Sequence, residues 1–84
     1  MTLAELARAV QTREDLAAFI LALNADLTSH PEAWENADLT SFFGAMAAWT
    51  EDMEGYYKNS GQKLSELPVW RVIADILMAA RMYE

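Results

Sequence analysis

Apolar side chains recur three or four residues apart along most of this chain, a spacing that only an α-helix places on one face. The clearest stretch contains Leu16, Phe19, Ile20, Leu23 and Leu27. No segment alternates apolar and polar residues over a useful length, and β-branched residues are few. Strands are therefore not expected, and the pattern predicts an all-α fold.

Residues that favour helix ends mark the first two helices. Thr2 and Glu5 match a capping box, in which each side chain accepts a hydrogen bond from the other residue's backbone N–H, and this predicts a short first helix. Thr12 is the expected N-cap of a second helix. That helix should run to about Ser29, because the residue before Pro31 is disfavoured in helical backbone.

A third helix is expected after Asp38, which follows a connector of residues 31–37 containing one turn of local structure. Gly44 lies inside this helix and is expected to mark the close approach of another helix, whereas Gly55 either ends the helix or weakens its last turn. The expected core-facing stripe comprises Leu39, Phe42, Phe43, Met46, Trp49 and Met53, extended by Tyr56 and Tyr57.

The last helix is expected to be capped by Ser65, with Pro68 in its first turn. Arg71 and Asp75 lie four residues apart and are expected to pair in solvent. The expected buried stripe comprises Trp70, Ile73, Ile76, Leu77, Ala80 and Tyr83. Four helices, the first one short, joined by short connections predict a compact helical bundle that forms a single domain over residues 1–84.

The charge balance argues against two classes of partner. Thirteen acidic residues outnumber six scattered basic ones, which gives a net charge of −7. Direct binding to nucleic acid or to an anionic membrane is not expected, because phosphate contacts need clustered Lys or Arg. A basic protein partner is compatible with this charge, and so is a role in solubility alone.

Three further observations favour a cytoplasmic location. The chain has no cysteine, so a disulfide or a cysteine-based zinc site is impossible. No basic segment followed by an apolar run is visible near Met1. The longest apolar stretch, from Leu16 to Leu23, is far shorter than the roughly 20 residues that span a membrane.

No residue pattern predicts catalysis, a cofactor or a metal ion. The one histidine, His30, is expected at a helix end near the last carbonyls rather than as a catalytic base. Glu51, Asp52 and Glu54 diverge around a helix and lack the spacing of a calcium-binding loop, so a solvated face is the better interpretation. We therefore expect a protein that is not an enzyme.

Large apolar residues that exceed the needs of a small core are candidates for a contact surface. Trp34 is expected to fold over the end of the bundle as a lid. Tyr56 and Tyr57 point about 100° apart on a helix, so one of them should be partly exposed. Side chains outside the main stripe of the last helix favour a dimer or a partner helix. The candidate interaction residues are Trp34, Glu35, Tyr56, Tyr57, Val72, Met78 and Met82.

Residues 34–36, Trp-Glu-Asn, and residues 55–57, Gly-Tyr-Tyr, together resemble the signature of a family of small bacterial proteins of unknown function. The resemblance extends from Phe19 to Glu84 and leaves the first helix outside. It implies a bacterial or phage source and a stable, mostly helical domain, and it assigns no catalytic residue. Two polar members of the signature, Asn36 and Asp52, are expected to satisfy buried backbone groups at helix ends.

Two functions remain open from the sequence. The first is a non-enzymatic protein–protein interaction module, including a homodimer. The alternative is a small acidic inhibitor, such as an immunity protein, an antitoxin or an anti-nuclease protein, whose carboxylates steer it onto a basic protein partner. Clustering of the acidic residues on one face would favour the inhibitor.

Overall fold

A computed structural model describes residues 1–83, and in that range it contains helices and no strand. Two short 3₁₀ turns, Pro31–Ala33 and Leu64–Glu66, lie in the connections. The α-helices are α1 (Leu3–Arg8), α2 (Arg13–Ser29), α3 (Leu39–Asn59) and α4 (Val69–Ala80). The predicted all-α bundle of about four helices with a short first helix is confirmed, and Glu84 of the family signature lies outside the described residues.

The first two helices begin at the predicted caps. Thr2 and Glu5 form the expected capping box, with hydrogen bonds of 2.9 and 3.1 Å. Thr12 caps α2 in the same way, and Asp15 completes its box. Each such cap stabilises a helix by about 1 kcal/mol, so the local sequence fixes these helix starts.

The predicted start of the last helix is wrong. Ser65 lies in the second 3₁₀ turn and caps nothing, and α4 begins one residue after Pro68. The cause is Pro68 itself, which keeps the preceding Leu67 in extended backbone at φ −87° and ψ 144°. A helix therefore cannot run through this segment.

Helix α4 lies at the centre of the molecule and packs against each of the other three helices, whereas α2 and α3 barely touch each other. Small side chains, Ala74 and Ala80, are fully buried on α4 and allow its neighbours to approach closely. The molecule measures 33 × 26 × 18 Å.

Three residues of the expected buried stripes are exposed. Ile20 on α2 and both Leu39 and Phe43 on α3 face solvent, because α2 and α3 lie on different sides of α4 and do not cover each other. The expectation for Gly44 is also wrong. A Cβ atom at this position would meet no other atom within 4 Å, so no helix approaches there. Gly55 does not end α3, which continues to Asn59.

Candidate interaction surface

An apolar groove separates α2 from the start of α3, and we name it the α2–α3 groove. Its volume is about 360 Å³, and it is open to solvent. Leu77 of α4 closes it from below, and Trp34 and Phe42 form one wall. The opposite wall is the side of α2 that carries Ile20 and Leu27. The groove lies where α2 and α3, which both pack on α4, barely touch each other.

Trp34 is fixed in its wall by three kinds of contact. Its indole Nε1 donates a hydrogen bond of 2.8 Å to Oδ2 of Asp26. Its ring stacks on Phe42, with centroids 6.0 Å apart and an angle of 23° between the planes. It is also one of the buried core residues. Trp34 is therefore a fixed part of the core.

Asn36 links the connector to the C-terminal end of α4 by hydrogen bonds. Its backbone N–H donates to the carbonyl of Arg81 at 3.0 Å. Its side-chain Nδ2 donates to the carbonyls of Ala80 and Tyr83 at 3.0 and 2.7 Å. These carbonyls belong to the last residue of α4 and to the segment after it, and they have no partner in the helix. The expectation that Asn36 satisfies backbone groups at a helix end is confirmed.

Exposed apolar side chains line the rims of the groove. Leu39, the first residue of α3, is 71% exposed, and Ile20 of α2, which also lines the groove, is 44% exposed. Phe43 is 58% exposed, and its ring meets Phe42 edge-on at 6.5 Å, so it extends the same apolar surface along α3. Leu21, next to Ile20, is 70% exposed. An apolar cluster of this kind marks a contact surface more often than scattered exposed residues do.

Negative charge lies beside the groove at one end. Asp38 lines the groove. Its carboxylate accepts a hydrogen bond of 2.9 Å from the backbone N–H of Ser41, and this bond lowers the pKa of the carboxyl. Asp26 supports Trp34, and Glu35 follows Trp34 on the connector. Within residues 1–83, none of these three carboxylates lies within 4.0 Å of a basic nitrogen. No lysine or arginine is among the described residues that line the groove.

The residues predicted to form a contact surface differ in their exposure. Glu35 and Met82 are exposed, and Val72 is half-buried. Trp34 is buried, and Met78 packs against the core. Of the tyrosine pair, Tyr56 is 47% exposed and Tyr57 is 1% exposed, so the prediction that one of the two is partly exposed is confirmed.

Tyr57 belongs to a buried polar network rather than to a surface. Its hydroxyl donates to Oδ2 of Asp75 at 2.6 Å, and Arg71 Nε lies 3.3 Å from the same oxygen. Arg71 also donates to Oε1 of Gln62 at 3.0 Å. Arg71 and Asp75 pair as expected, but the expectation that they pair in solvent is wrong, since α3 packs on α4 and both side chains are largely buried.

Asp52 also differs from its expected role. It accepts a hydrogen bond from the hydroxyl of Tyr83 and is exposed, so it satisfies a side chain and not a backbone group at a helix end. This bond raises the pKa of Tyr83. It links the middle of α3 to the segment after α4.

Side chains that could act in catalysis or hold a metal ion are dispersed over the described residues. His30 lies at the C-terminal cap of α2, exposed, with Nδ1 3.8 Å from Glu32. No group of three or more histidine, aspartate or glutamate side chains in residues 1–83 is placed to hold a metal ion. Over the same residues, no helix has the length and apolar character to cross a membrane.

The sequence did not identify the α2–α3 groove, although one signal pointed to it. Residues 16–23 are all apolar, so α2 carries apolar side chains around its whole circumference. A helix of that kind has more apolar surface than one bundle contact can bury. Leu21, on the side of α2 away from the core, is therefore left exposed.

Comparison with known proteins gives a family and nothing more specific. Residues 12–84 match the model of a family of unknown function, DUF7660, and the chain belongs to this family. The match begins at the N-cap of α2 and leaves α1 outside it. No curated protein and no solved structure matches the chain.

Proposed function

We propose that this member of the DUF7660 family is a non-enzymatic protein-interaction module that binds another protein chain in the α2–α3 groove. The observation that supports the proposal is the exposure of Ile20, Leu39 and Phe43 around an apolar groove whose wall, Trp34, is held rigidly. Binding sites for helices have this form, a hydrophobic groove that receives apolar anchors of the partner.

The total exposed surface supports the same proposal. The chain exposes 5489 Å², whereas a monomeric protein of 9.4 kDa is expected to expose roughly 5000 Å². The difference is about one tenth of the surface. A bundle in which two of its longer helices do not pack together leaves such an excess, and a partner in the groove would remove it.

The surface admits two kinds of partner, a second copy of this chain or a different protein. Light scattering on a sizing column at low and high salt separates them. A homodimer gives twice the mass of 9.4 kDa. Salt should strengthen it, because screening reduces the repulsion between two chains of net charge −7.

Two matched variants test whether the groove is the contact surface. Leu39 and Val69 are the first residues of α3 and α4, and they are 71% and 62% exposed. Only Leu39 lines the groove. Leu39→Lys should abolish a dimer and Val69→Lys should leave it intact, since both add the same charge at the same helix position.

A chain that is monomeric at all salt concentrations requires a second test in the cells that make it. A photo-reactive phenylalanine analogue at position 39 should give an adduct with another protein, and the same analogue at position 69 should not. A monomer without an adduct specific to position 39 would refute the proposal. The expected location is the cytoplasm of a bacterial cell, which fractionation of the source organism would check.

The acidic-inhibitor function is a second candidate for the same surface. It is supported by the carboxylates of Asp26, Glu35 and Asp38 beside the groove, none of which forms an ion pair with a basic side chain of residues 1–83. A nuclease or toxin with a basic surface would then be the partner. Loss of a toxin's activity on addition of the purified chain, with the partner obtained from the cross-linked adduct, would test it.

A further inference from the structure

We propose that the partner of the α2–α3 groove is a basic amphipathic helix of a different protein, with its apolar face in the groove and its lysine or arginine side chains over the acidic end. This inference rests on the proposed function, because it assigns the occupant of the same groove. Shape and charge support it separately.

The shape of the groove fits one face of a helix. Its long wall runs along α2 from Ile20 to Leu27, about 10 Å of helix at 1.5 Å per residue. Apolar side chains three, four and seven residues apart on a partner helix cover that length. Phe43 extends the apolar surface beyond the opening and gives a further contact for such a helix.

The charge around the groove selects the sign of that helix. Asp38 is the one charged residue among the described residues that line it. Asp26 and Glu35 lie next to the Trp34 wall, and no basic nitrogen within residues 1–83 pairs with any of the three. The hydrogen bond from Ser41 favours the ionised form of Asp38. Lysine or arginine side chains of a partner would meet carboxylates that have no cation of their own.

The same charges disfavour a second copy of this chain as the occupant. Each copy has a net charge of −7, so pairing two copies brings like charges together. The described residues that line the groove supply no lysine or arginine to offset that repulsion. A basic helix removes the repulsion instead of adding to it.

Three synthetic peptides of about 14 residues, roughly 21 Å as a helix, test the proposal with the purified full chain. The first contains leucine and lysine arranged so that leucine forms one helical face. The second has the same pattern with glutamate in place of lysine. The third has the composition of the first in an order that forms no apolar face. Binding is followed by the ¹H–¹⁵N signal of the Trp34 indole, assigned with Trp34→Phe.

The leucine–lysine helix should bind at least about tenfold more tightly than either control peptide, a difference of about 1.4 kcal/mol. It should shift the Trp34 indole signal more than those of Trp49 and Trp70. Raising the salt from low to near 1 M should weaken binding, because the Debye length falls from about 30 Å to about 3 Å.

The matched variants locate the binding site. Leu39→Lys should weaken binding of the leucine–lysine helix by about tenfold or more, and Val69→Lys should change it by less than about threefold, since a distant single charge is largely screened. Asp38→Asn should weaken binding and reduce its salt dependence.

Four outcomes would overturn the inference: no binding of the leucine–lysine helix, equal binding of the glutamate peptide, equal weakening by both lysine variants, or a dimer of this chain that occupies the groove. The last of these leaves the proposed function intact, because a second copy is then the partner. A monomeric chain that gives no cross-link specific to position 39 refutes the proposed function itself, so the two failures are distinguishable.

Discussion

Removal of one oxygen atom from Tyr57 tests how α3 is held on α4. Tyr57 is 1% exposed, and its hydroxyl donates to Asp75 at 2.6 Å. Tyr57→Phe keeps the ring in place against Trp49 and Tyr56, whose centroids lie 6.1 and 5.2 Å away. It deletes a hydrogen bond to a buried carboxylate, and such bonds contribute about 1.5–3 kcal/mol to stability.

We take about 2 kcal/mol as the expected loss for Tyr57→Phe. A chain of 84 residues has an unfolding entropy of roughly 0.18 kcal/mol per degree, so the melting temperature should fall by about 11 °C. The loss is large beside a total stability of roughly 4–13 kcal/mol for a chain of this length. Urea unfolding followed by circular dichroism measures the free energy, and calorimetry measures the melting temperature.

Tyr56→Phe is the matched control. It removes the same oxygen from the adjacent residue, which is 47% exposed, and within residues 1–83 the Tyr56 hydroxyl makes no hydrogen bond to another residue. Its effect should stay within about 0.5 kcal/mol. Equal effects of the two variants would refute the reasoning, because the bond to Asp75 would then contribute nothing beyond loss of a surface hydroxyl.

A double-mutant cycle then measures the bond itself. Asp75→Asn keeps an oxygen acceptor for Tyr57 but removes the charge that faces Arg71. The effects of Tyr57→Phe and Asp75→Asn should not add, because each single change weakens the same contact. Additivity within about 0.3 kcal/mol would mean that the two residues act independently.

The remaining predictions concern pH, the connector, the N-cap of α2 and the groove rim. Burial and the bond to Asp75 raise the pKa of Tyr57, so the unfolded chain loses that proton first. The stability it provides is complete below about pH 10 and falls above it. Alkaline unfolding should be less steep in Tyr57→Phe, and an unchanged curve would contradict this. Asn36→Ala leaves carbonyls after α4 without donors and should cost about 1–3 kcal/mol in urea unfolding. Thr12→Ala removes a cap and should cost about 1 kcal/mol by the same measurement. Leu39→Glu puts an acid at the start of α3, so stability should be unchanged or rise by up to about 1 kcal/mol. A decrease of more than about 1 kcal/mol in the free energy of unfolding would show that the Leu39 side chain is packed against other residues in the free chain.

Local chemistry explains why the helices were predictable from the sequence. Each helix cap acts through a hydrogen bond between residues three positions apart, as at Thr2, Thr12 and Asp38. The residues that form a cap can therefore be recognised from a few neighbouring positions in the sequence. The start of α4 was predicted incorrectly because two local signals conflicted. Ser65 offers a cap, but Pro68 disfavours helical backbone at Leu67, and the steric effect of the proline prevailed.

The groove could not be predicted in the same way, because it depends on which helices meet. Spacing shows that Leu39 and Phe43 share a side of α3 with buried residues, but it does not show how far the neighbouring helix extends. Phe42 packs against the core, whereas Leu39 and Phe43 lie beyond the part of α3 that the neighbouring helix covers. The buried pair of Arg71 and Asp75 was hidden for the same reason, since only the position of α3 removes it from solvent.

The connector between α2 and α3 explains why the groove is open. A flexible link of this length would let α3 turn back and bury Leu39 and Phe43 against Ile20, which hydrophobic burial favours by about 1.5–3 kcal/mol per fully buried side chain. The three hydrogen bonds of Asn36 join the connector to the C-terminal end of α4 and oppose such a movement of the connector. Trp34, held by Asp26, fills the space behind it. The sequence thus uses specific contacts to keep an apolar groove uncovered, and this is the strongest structural reason to assign binding to it.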